Sequence, residues 1–431
     1  MWGPELRLVQ DRLARQCRPG GSGARPIGSH PLPHAWYQTV VAPEWRNVMV
    51  DEQSIATEDD AEVVARLKRR LIGQALPLWS TEGWDHTSGG FVDRLHGDGR
   101  ADRSAPQRVF VQARQIYCYA TAAKMGWYPE GRAIALKGLE YLLAKAKAAD
   151  GRPGYVHKLT PEGAVLDPGR DTFDHAFVLL ALATVYGLDR DALVRAEINE
   201  LLAFLDSQLR SPHGGFLEGL PNSMPRRQNS HMYLFEAMVA AFDATNDLAF
   251  QHRAGEFFAL FLANLYDKQK HVLGEYFEED WSRIEPVIVE PGHLAEWVWL
   301  LSGFERITGC PTGQRRGELL EAALRYRDPV TGCLVDEGDA GGNIRRHTRR
   351  LWPQAEIAKA WIAQAESGEA GAAMEARAAL ARLERHYLSH PVAGGWYDGF
   401  DRYGKPLHNT IPASAFYHVL CAVTEAERVL T

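Results

Sequence analysis

The chain has 431 residues, 45% of them hydrophobic, with 12 Trp, 15 Tyr and 16 Phe, so it has ample material for a core and is neither disordered nor fibrous. Its formal charge is -7 with the basic residues scattered, which leaves no electrostatic footprint for nucleic acid or for an anionic membrane surface. No stretch approaches the ~20 apolar residues of a membrane span, so the expected partner is a small molecule.

Residues 1–54, with Arg, Pro and the run Gly20, Gly21, Ser22, Gly23, lack the apolar segment of a secretory signal and read as a peripheral or poorly ordered extension. The remainder, 55–431, reads as one domain, because a motif recurs through it six times at a spacing of about sixty residues. A glycine turn runs into an aromatic or aliphatic residue and then a polar one: GGFVD at 89–93, PGYVH at 153–157, GGFLE at 214–218, LGEYF at 273–277, GCLVD at 332–336 and GGWYD at 394–398.

Between these turns the apolar period is helical. EVVARLKRRLIGQALPLW precedes the first turn. PQRVFVQARQIYCYATAA and EGRAIALKGLEYLLAKAKAA follow it, and a similar pair follows each of the next four turns. PASAFYHVLCAVTEAERVL alone follows the last. The count is one helix, five pairs and one helix; if the terminal two pair with each other, the array closes into an all-α (α/α)6 toroid with short β-hairpin turns at its mouth. The first helix of each pair is apolar on most faces and the second carries the charges, which puts the first kind in an inner ring and the second in an outer one. An open solenoid would need polar capping repeats, which are not evident. The five cysteines, an odd number without CxxC spacing, read as reduced core thiols of a cytoplasmic protein.

The unusual polar residues stand in the first turns of the inner helices: Arg114, Asp174 with His175, Asn229 with His231, His293 with Glu296, Gln354 with Glu356, and His418. Inner helices of one polarity bring them to one mouth of the toroid. In EPGHLAEW, His293 and Glu296 lie three apart on one helical face, which suits a base oriented by a carboxylate, a metal pair or an ordinary salt pair. His418 interrupts an apolar stretch, and Arg114 is a charge inside an apolar helix, costly unless paired or facing a polar ligand. Trp352 and Trp396 sit by turns at the same mouth, where they could stack on sugar CH faces or simply pack. GxxxxGK[ST], GxGxxG after a strand, HExxH and GxSxG are all missing, so phosphoryl transfer, hydride transfer and serine hydrolysis have no support.

Four motifs, QARQIY around Arg114, RRQNSHMYLFEA around Asn229, EPGHLAEW, and FYH ending at His418, together with the six-fold repeat, resemble the N-acylglucosamine 2-epimerase superfamily over roughly residues 55–431. That superfamily includes cellobiose 2-epimerases, mannose isomerases and related aldose–ketose isomerases. The resemblance implies that His293 and His418 are acid/base histidines, that Arg114 binds substrate oxygen and that Glu296 supports His293. Asn229, Trp352 and Trp396 would line the sugar site, with Asp174 among the further contacts. Several members have His where this chain has Tyr233, so either that contact passes to Tyr233 or to His231, or the ligand preference differs. The expected activity is proton transfer through an enediolate: aldose–ketose isomerisation of a mannose-like monosaccharide first, 2-epimerisation second. Glycoside hydrolysis on the same toroid would draw on Asp174, Glu290, Glu296 or Asp398, and a non-catalytic sugar-binding role comes third. No cofactor or metal is expected, and the chain is expected to be a monomer or homodimer.

Overall fold

In the computed structural model, which describes residues 60–431, the helical segments divide by what they bury. Among the described residues there are twelve helices. The first, α1, runs over Asp60–Arg70, a wider π-type turn at Leu71–Ala75, and Leu76–Thr81. Then come α2 (Val109–Lys124), α3 (Gly131–Lys145), α4 (Thr172–Asp189), α5 (Ala192–Phe204), α6 (Gln228–Thr245) and α7 (Leu248–Leu260). The series ends with α8 (Pro291–Thr308), α9 (Arg315–Leu324), α10 (Leu351–Glu366), α11 (Ala372–Leu383) and α12 (Phe416–Leu430), the last led in by a 3-10 turn at Ala413–Ala415. The extension expected over 1–54 lies outside the described residues.

The even-numbered helices are buried on nearly every face, and α4 buries residues 174–183 without a break. The odd-numbered ones bury a stripe: in α3 only Gly131, Ala135, Gly138, Leu139, Tyr141 and Leu142 are covered. The even helices accordingly form the inner ring, with α2 packed on α4 and so on through α12, which packs back on α2.

Short hairpins at one end of the ring lock each repeat to the next. The first N–H of an inner helix has no partner within its own helix, and here it donates to the carbonyl of the following glycine-turn motif. Val109 reaches His157 (3.2 Å), Thr172 reaches Glu218 (2.9 Å), Gln228 reaches Glu275 (3.1 Å) and Leu351 reaches Asp398 (2.8 Å). Ala413 of the last repeat then reaches Asp93 of the first at 3.0 Å. Pro291, which has no N–H to offer, begins the remaining inner helix. Antiparallel pairing of Arg94, Leu95 and His96 with Pro412, Ile411 and Thr410 seals the same junction, so the toroid is closed rather than an open solenoid.

Five of the six turns have a left-handed residue two before the buried plug: Gly89, Gly214, Gly332 and Gly394 have φ between 67° and 87°, and in the fourth copy His271 takes that place at 57°; in the second copy Gly154, at 82°, directly precedes Tyr155. Three cysteines, Cys118, Cys333 and Cys421, are buried free thiols as expected. Cys310 departs from that expectation, since it is disulfide-bonded rather than free. No described helix is long and apolar enough to cross a membrane.

Candidate active site

Numbering each inner helix from its first residue, with Ala413 as the first of the sixth, separates the polar residues by direction. At 100° per residue, positions 2 or 3, 6 and 9 share one face, while position 4 is turned about 200° from position 6. Position 6 holds Arg114, Phe177, Tyr233, Glu296, Glu356 and His418. All six are turned to the axis, and from Arg114 to His418 each lies close to the next. The Arg114 guanidinium lies 4.1 Å from the Phe177 ring centre, Phe177 and Tyr233 have centroids 4.4 Å apart, and the Tyr233 hydroxyl donates to Glu296 Oε2 at 3.2 Å. Glu296, Glu356 and His418 bring ligand-type atoms within 4.8 Å of one another, and His418 Nδ1 meets Glu356 Oε1 at 2.7 Å. This ring is the floor of the site. Positions 2 and 3 stand above it as the wall: Asn229, His293, Trp352 and Asp174.

Trp352 stands between the two histidines, its ring centre 4.9 Å from that of His293 and 5.8 Å from that of His418. The Pro-Gly that opens α8 explains how it fits. A Cβ on Gly292 would lie 2.5 Å from two carbons of the Trp352 ring, so the indole seats itself in the space left by a missing side chain. The histidines are thus two helices apart around the ring and flank one aromatic plate.

The carboxylate that orients His293 is Glu275, which meets Nδ1 at 2.9 Å, and not Glu296, which is occupied by Tyr233. Glu275 comes from the fourth glycine turn, eighteen residues upstream of His293, so local helical spacing does not reveal it. The two histidines are driven in opposite directions. Burial disfavours a charge on His293, but Glu275, Glu290 and Glu296 outweigh it and raise its pKa to about 9. Burial, then the Arg114, Lys359, His293 and Arg350 charges, hold His418 well below the usual range. These surroundings favour a cationic His293 and a neutral His418 near neutral pH.

Arg114 donates to the Ser414 carbonyl at 3.0 Å and lies among the rings of Phe110, Phe173, Phe177, Tyr233 and Tyr417. Among the described residues no carboxylate is hydrogen-bonded to it. Asn229 is half-buried, and its Oδ1 has no hydrogen-bond partner among the described residues. Asp174 is fully buried, bonded at 2.6 Å to His157 Nδ1, and burial raises its pKa to about 7.

Two expected sugar contacts are placed elsewhere. His231 is at position 4, where its Nε2 accepts the Phe216 N–H at 2.9 Å against the outer helix; burial and then Arg226 push it down to about 3. His175 accepts from the Tyr155 N–H at 3.0 Å. Gln112 and Gln354 bond the equivalent backbones of Phe91 and Leu334, so position 4 is a latch between helix and turn, with His or Gln interchangeable. Trp396 is itself a plug of such a turn: buried, its Nε1 bonded to the Pro412 carbonyl at 3.1 Å and its ring stacked 5.3 Å from Trp79. Both residues are bonded into the packing between helix and turn, away from the position-6 ring.

Two groups lie close enough to surround a small cation: Glu275, Glu290 and His293, and Glu296, Glu356 and His418. In each the imidazole Nδ1 already bonds a carboxylate, and in the second the Lys359 ammonium, 2.7 Å from Glu356, supplies positive charge. Their closeness is accounted for by these partners. Three of the four carboxylates that glycoside hydrolysis would draw on are similarly engaged, Asp174 with His157, Glu290 with Arg350 at 3.1 Å and Glu296 with Tyr233; burial raises the pKa of the fourth, Asp398. A cavity of about 300 Å³ on the outer wall, between Lys147, Tyr155, Glu197 and Phe204, contains no such acid–base pair, and its lysine is bound to Glu197 and Glu200.

A family model for N-acylglucosamine 2-epimerases matches residues 89–422, a span that contains the whole ring of position-6 side chains. The chain belongs to the N-acylglucosamine 2-epimerase family. As a member it is an isomerase-class enzyme, a sugar isomerase or epimerase. It is 35% identical over 376 residues to a mannose-6-phosphate isomerase of Rhizobium meliloti (strain 1021), covering 83% of this chain and 94% of that one. It is 25% identical to a D-mannose isomerase of Marinomonas mediterranea, covering 80% and 92%. Among solved structures, a cellobiose 2-epimerase from Spirochaeta thermophila shares the fold at a TM-score of 0.78 and 21% identity, covering 88% of this chain and 98% of that one.

Proposed function

We propose that this enzyme interconverts an aldose and its ketose, with a mannose-type monosaccharide as substrate, by moving a proton between C2 and C1 through an enediolate. The observation that carries the reading is the pair of histidines flanking Trp352, each with Nδ1 on a carboxylate, His293 on Glu275 and His418 on Glu356, in surroundings that drive their pKa values in opposite directions. A base must be neutral before it acts and an acid protonated. His418, with Nδ1–H donated to Glu356, has its Nε2 lone pair available to take the C2 proton and return it to C1. His293, cationic through Glu275, gives its proton to the sugar ring oxygen as the ring opens and regains one from the O1 hydroxyl; it then protonates O1 as charge develops there and takes back the proton that the C2 hydroxyl loses as the ketose forms. Arg114 stabilises the enediolate from below, in a site where aromatic walls keep the dielectric low. Trp352 carries an apolar sugar face, and Asn229 Oδ1 accepts from a hydroxyl. Mannose isomerases among the relatives favour this reading.

The runner-up, 2-epimerisation, uses His293 to return a proton to the other face of C2, and the cellobiose 2-epimerases among the relatives keep it open. A cationic His293 can donate but cannot abstract, so epimerisation in both directions would require it to lose its proton in each cycle. Incubation with mannose, mannose 6-phosphate, fructose, N-acetylmannosamine and cellobiose, with products resolved by chromatography, separates the readings. Ketose from a mannose-type sugar supports isomerisation, an aldose epimer from N-acetylmannosamine or cellobiose supports the runner-up, and monosaccharides released from cellobiose would mean hydrolysis. A cytoplasmic location and a monomeric or homodimeric state complete the proposal, and light scattering tests the latter.

A further inference from the structure

One turn below the floor, at position 9, lies a charge that the chemistry above leaves unused. Lys359 of α10 is fully buried, its ammonium 2.7 Å from Glu356 Oε2 and 3.6 Å from the centre of the Trp299 ring. The contact with Glu356 is a close ion pair rather than an aligned hydrogen bond. Facing the ammonium are Glu356 on its own helix, Glu236 of α6, Glu296 of α8, and Cys421 and Tyr417 of α12. Three carboxylates thus share one cation in a place closed to water.

They do not share it equally. Glu236 accepts from the Tyr417 hydroxyl and Glu296 from the Tyr233 hydroxyl, and burial raises them to about 7 and about 8. Glu356 is pushed up by burial as well, but Lys359 is the strongest influence against that push. Glu356 also has two separate tasks, one oxygen on Lys359 and the other on His418 Nδ1 at 2.7 Å.

We propose that Lys359 is a positioning residue: by ion-pairing with Glu356 it keeps that carboxylate an acceptor, which fixes His418 as the tautomer with hydrogen on Nδ1 and the Nε2 lone pair free for the substrate. The inference rests on His418 being the base. Without the ammonium, Glu356 would take up a proton and donate it to Nδ1; the imidazole hydrogen would then sit on Nε2, where the ring cannot accept a proton from carbon. One buried lysine therefore selects which nitrogen does the work.

Two measurements test this. In the wild-type enzyme with 15N-labelled histidine, NMR at pH 7 should show His418 protonated on Nδ1 and bare on Nε2; the opposite tautomer overturns the proposal. In Lys359→Met, kcat should fall by about 30-fold or more with KM changed less than about threefold. The acid limb of kcat/KM should move to higher pH by about one unit or more, because losing a cation makes both Glu356 and His418 hold protons more tightly. The other charges facing His418, those of Arg114, His293 and Arg350, remain in the variant. A folded variant whose acid limb stays in place overturns the proposal, whatever its rate. If Lys359→Met does not fold, the wild-type tautomer decides. If the wild-type protein converts none of the sugars above, the isomerase reading fails while the tautomer measurement still judges Lys359.

Discussion

Gly292→Ala adds one methyl group to the enzyme, and the structure says where it goes. The new Cβ would lie 2.5 Å from both Cη2 and Cζ3 of Trp352 and 3.0 Å from Pro353 Cβ, where ordinary contacts begin at 3.4 Å. The backbone at Gly292 is not left-handed, so the substitution carries no conformational penalty of its own. Everything depends on whether the indole can retreat by about 0.9 Å, and it is wedged between His293 and His418. Overpacking of this kind costs about 1–3 kcal/mol of stability, and a displacement of about 1 Å in a plate that positions substrate can cost on the order of 100-fold in rate. The expectation is a kcat/KM for the sugar reduced about 10- to 100-fold in a protein that still melts cooperatively. The control is a double-mutant cycle with Trp352→Phe, whose smaller ring has no Cη2 or Cζ3 to collide. Gly292→Ala should then add little to the loss caused by Trp352→Phe alone. A Gly292→Ala enzyme with wild-type kcat/KM, or a loss of equal size in both backgrounds, would refute the packing argument.

Further outcomes follow from the same geometry. Glu275→Gln removes the main charge raising His293, so the alkaline limb of the pH–rate profile, set by a group near 9, should move to lower pH; a limb that stays in place would show that His293 is not the acid. His231→Gln should keep kcat within about threefold, because Gln112 and Gln354 do the same latching at equivalent positions, whereas His231→Ala should lower the melting temperature through an unpaired Phe216 N–H. A large loss of kcat with unchanged KM in His231→Gln would return that residue to the pocket. Trp396→Phe should likewise alter stability more than KM, since the indole stacks on Trp79 beneath the turn.

The toroid was legible in the sequence because its signals are periodic: six glycine turns, and helices whose apolar faces announce inner or outer placement. The candidate site was legible as a set of residues and less so as a geometry. Arg114, Asn229, Tyr233, His293, Glu296, Trp352 and His418 are brought to one mouth, but His231 and Trp396 carry the same residue-level signal and face the wall. Only two positions, about 200° of helix, separate the latch His231 from the floor residue Tyr233, and a count from the glycine turns is too coarse to resolve that. The partners of the histidines were harder. Glu275 reaches His293 from a turn eighteen residues away, and Glu356 reaches His418 across 62 residues, distances at which no helical periodicity operates. Lys359 belongs to no motif, and only the packed ring brings Glu236 and Glu296 from other helices toward it.

The central claim is that a proton leaves carbon onto His418. It is tested most directly by running the reaction on mannose in D2O and reading the sugar carbons by NMR. The account predicts deuterium at C1 of the ketose and at C2 of recovered aldose, and loss of that exchange in His418→Gln with the fold intact. Ketose formed with every carbon-bound hydrogen retained, or exchange undiminished in His418→Gln, would contradict it.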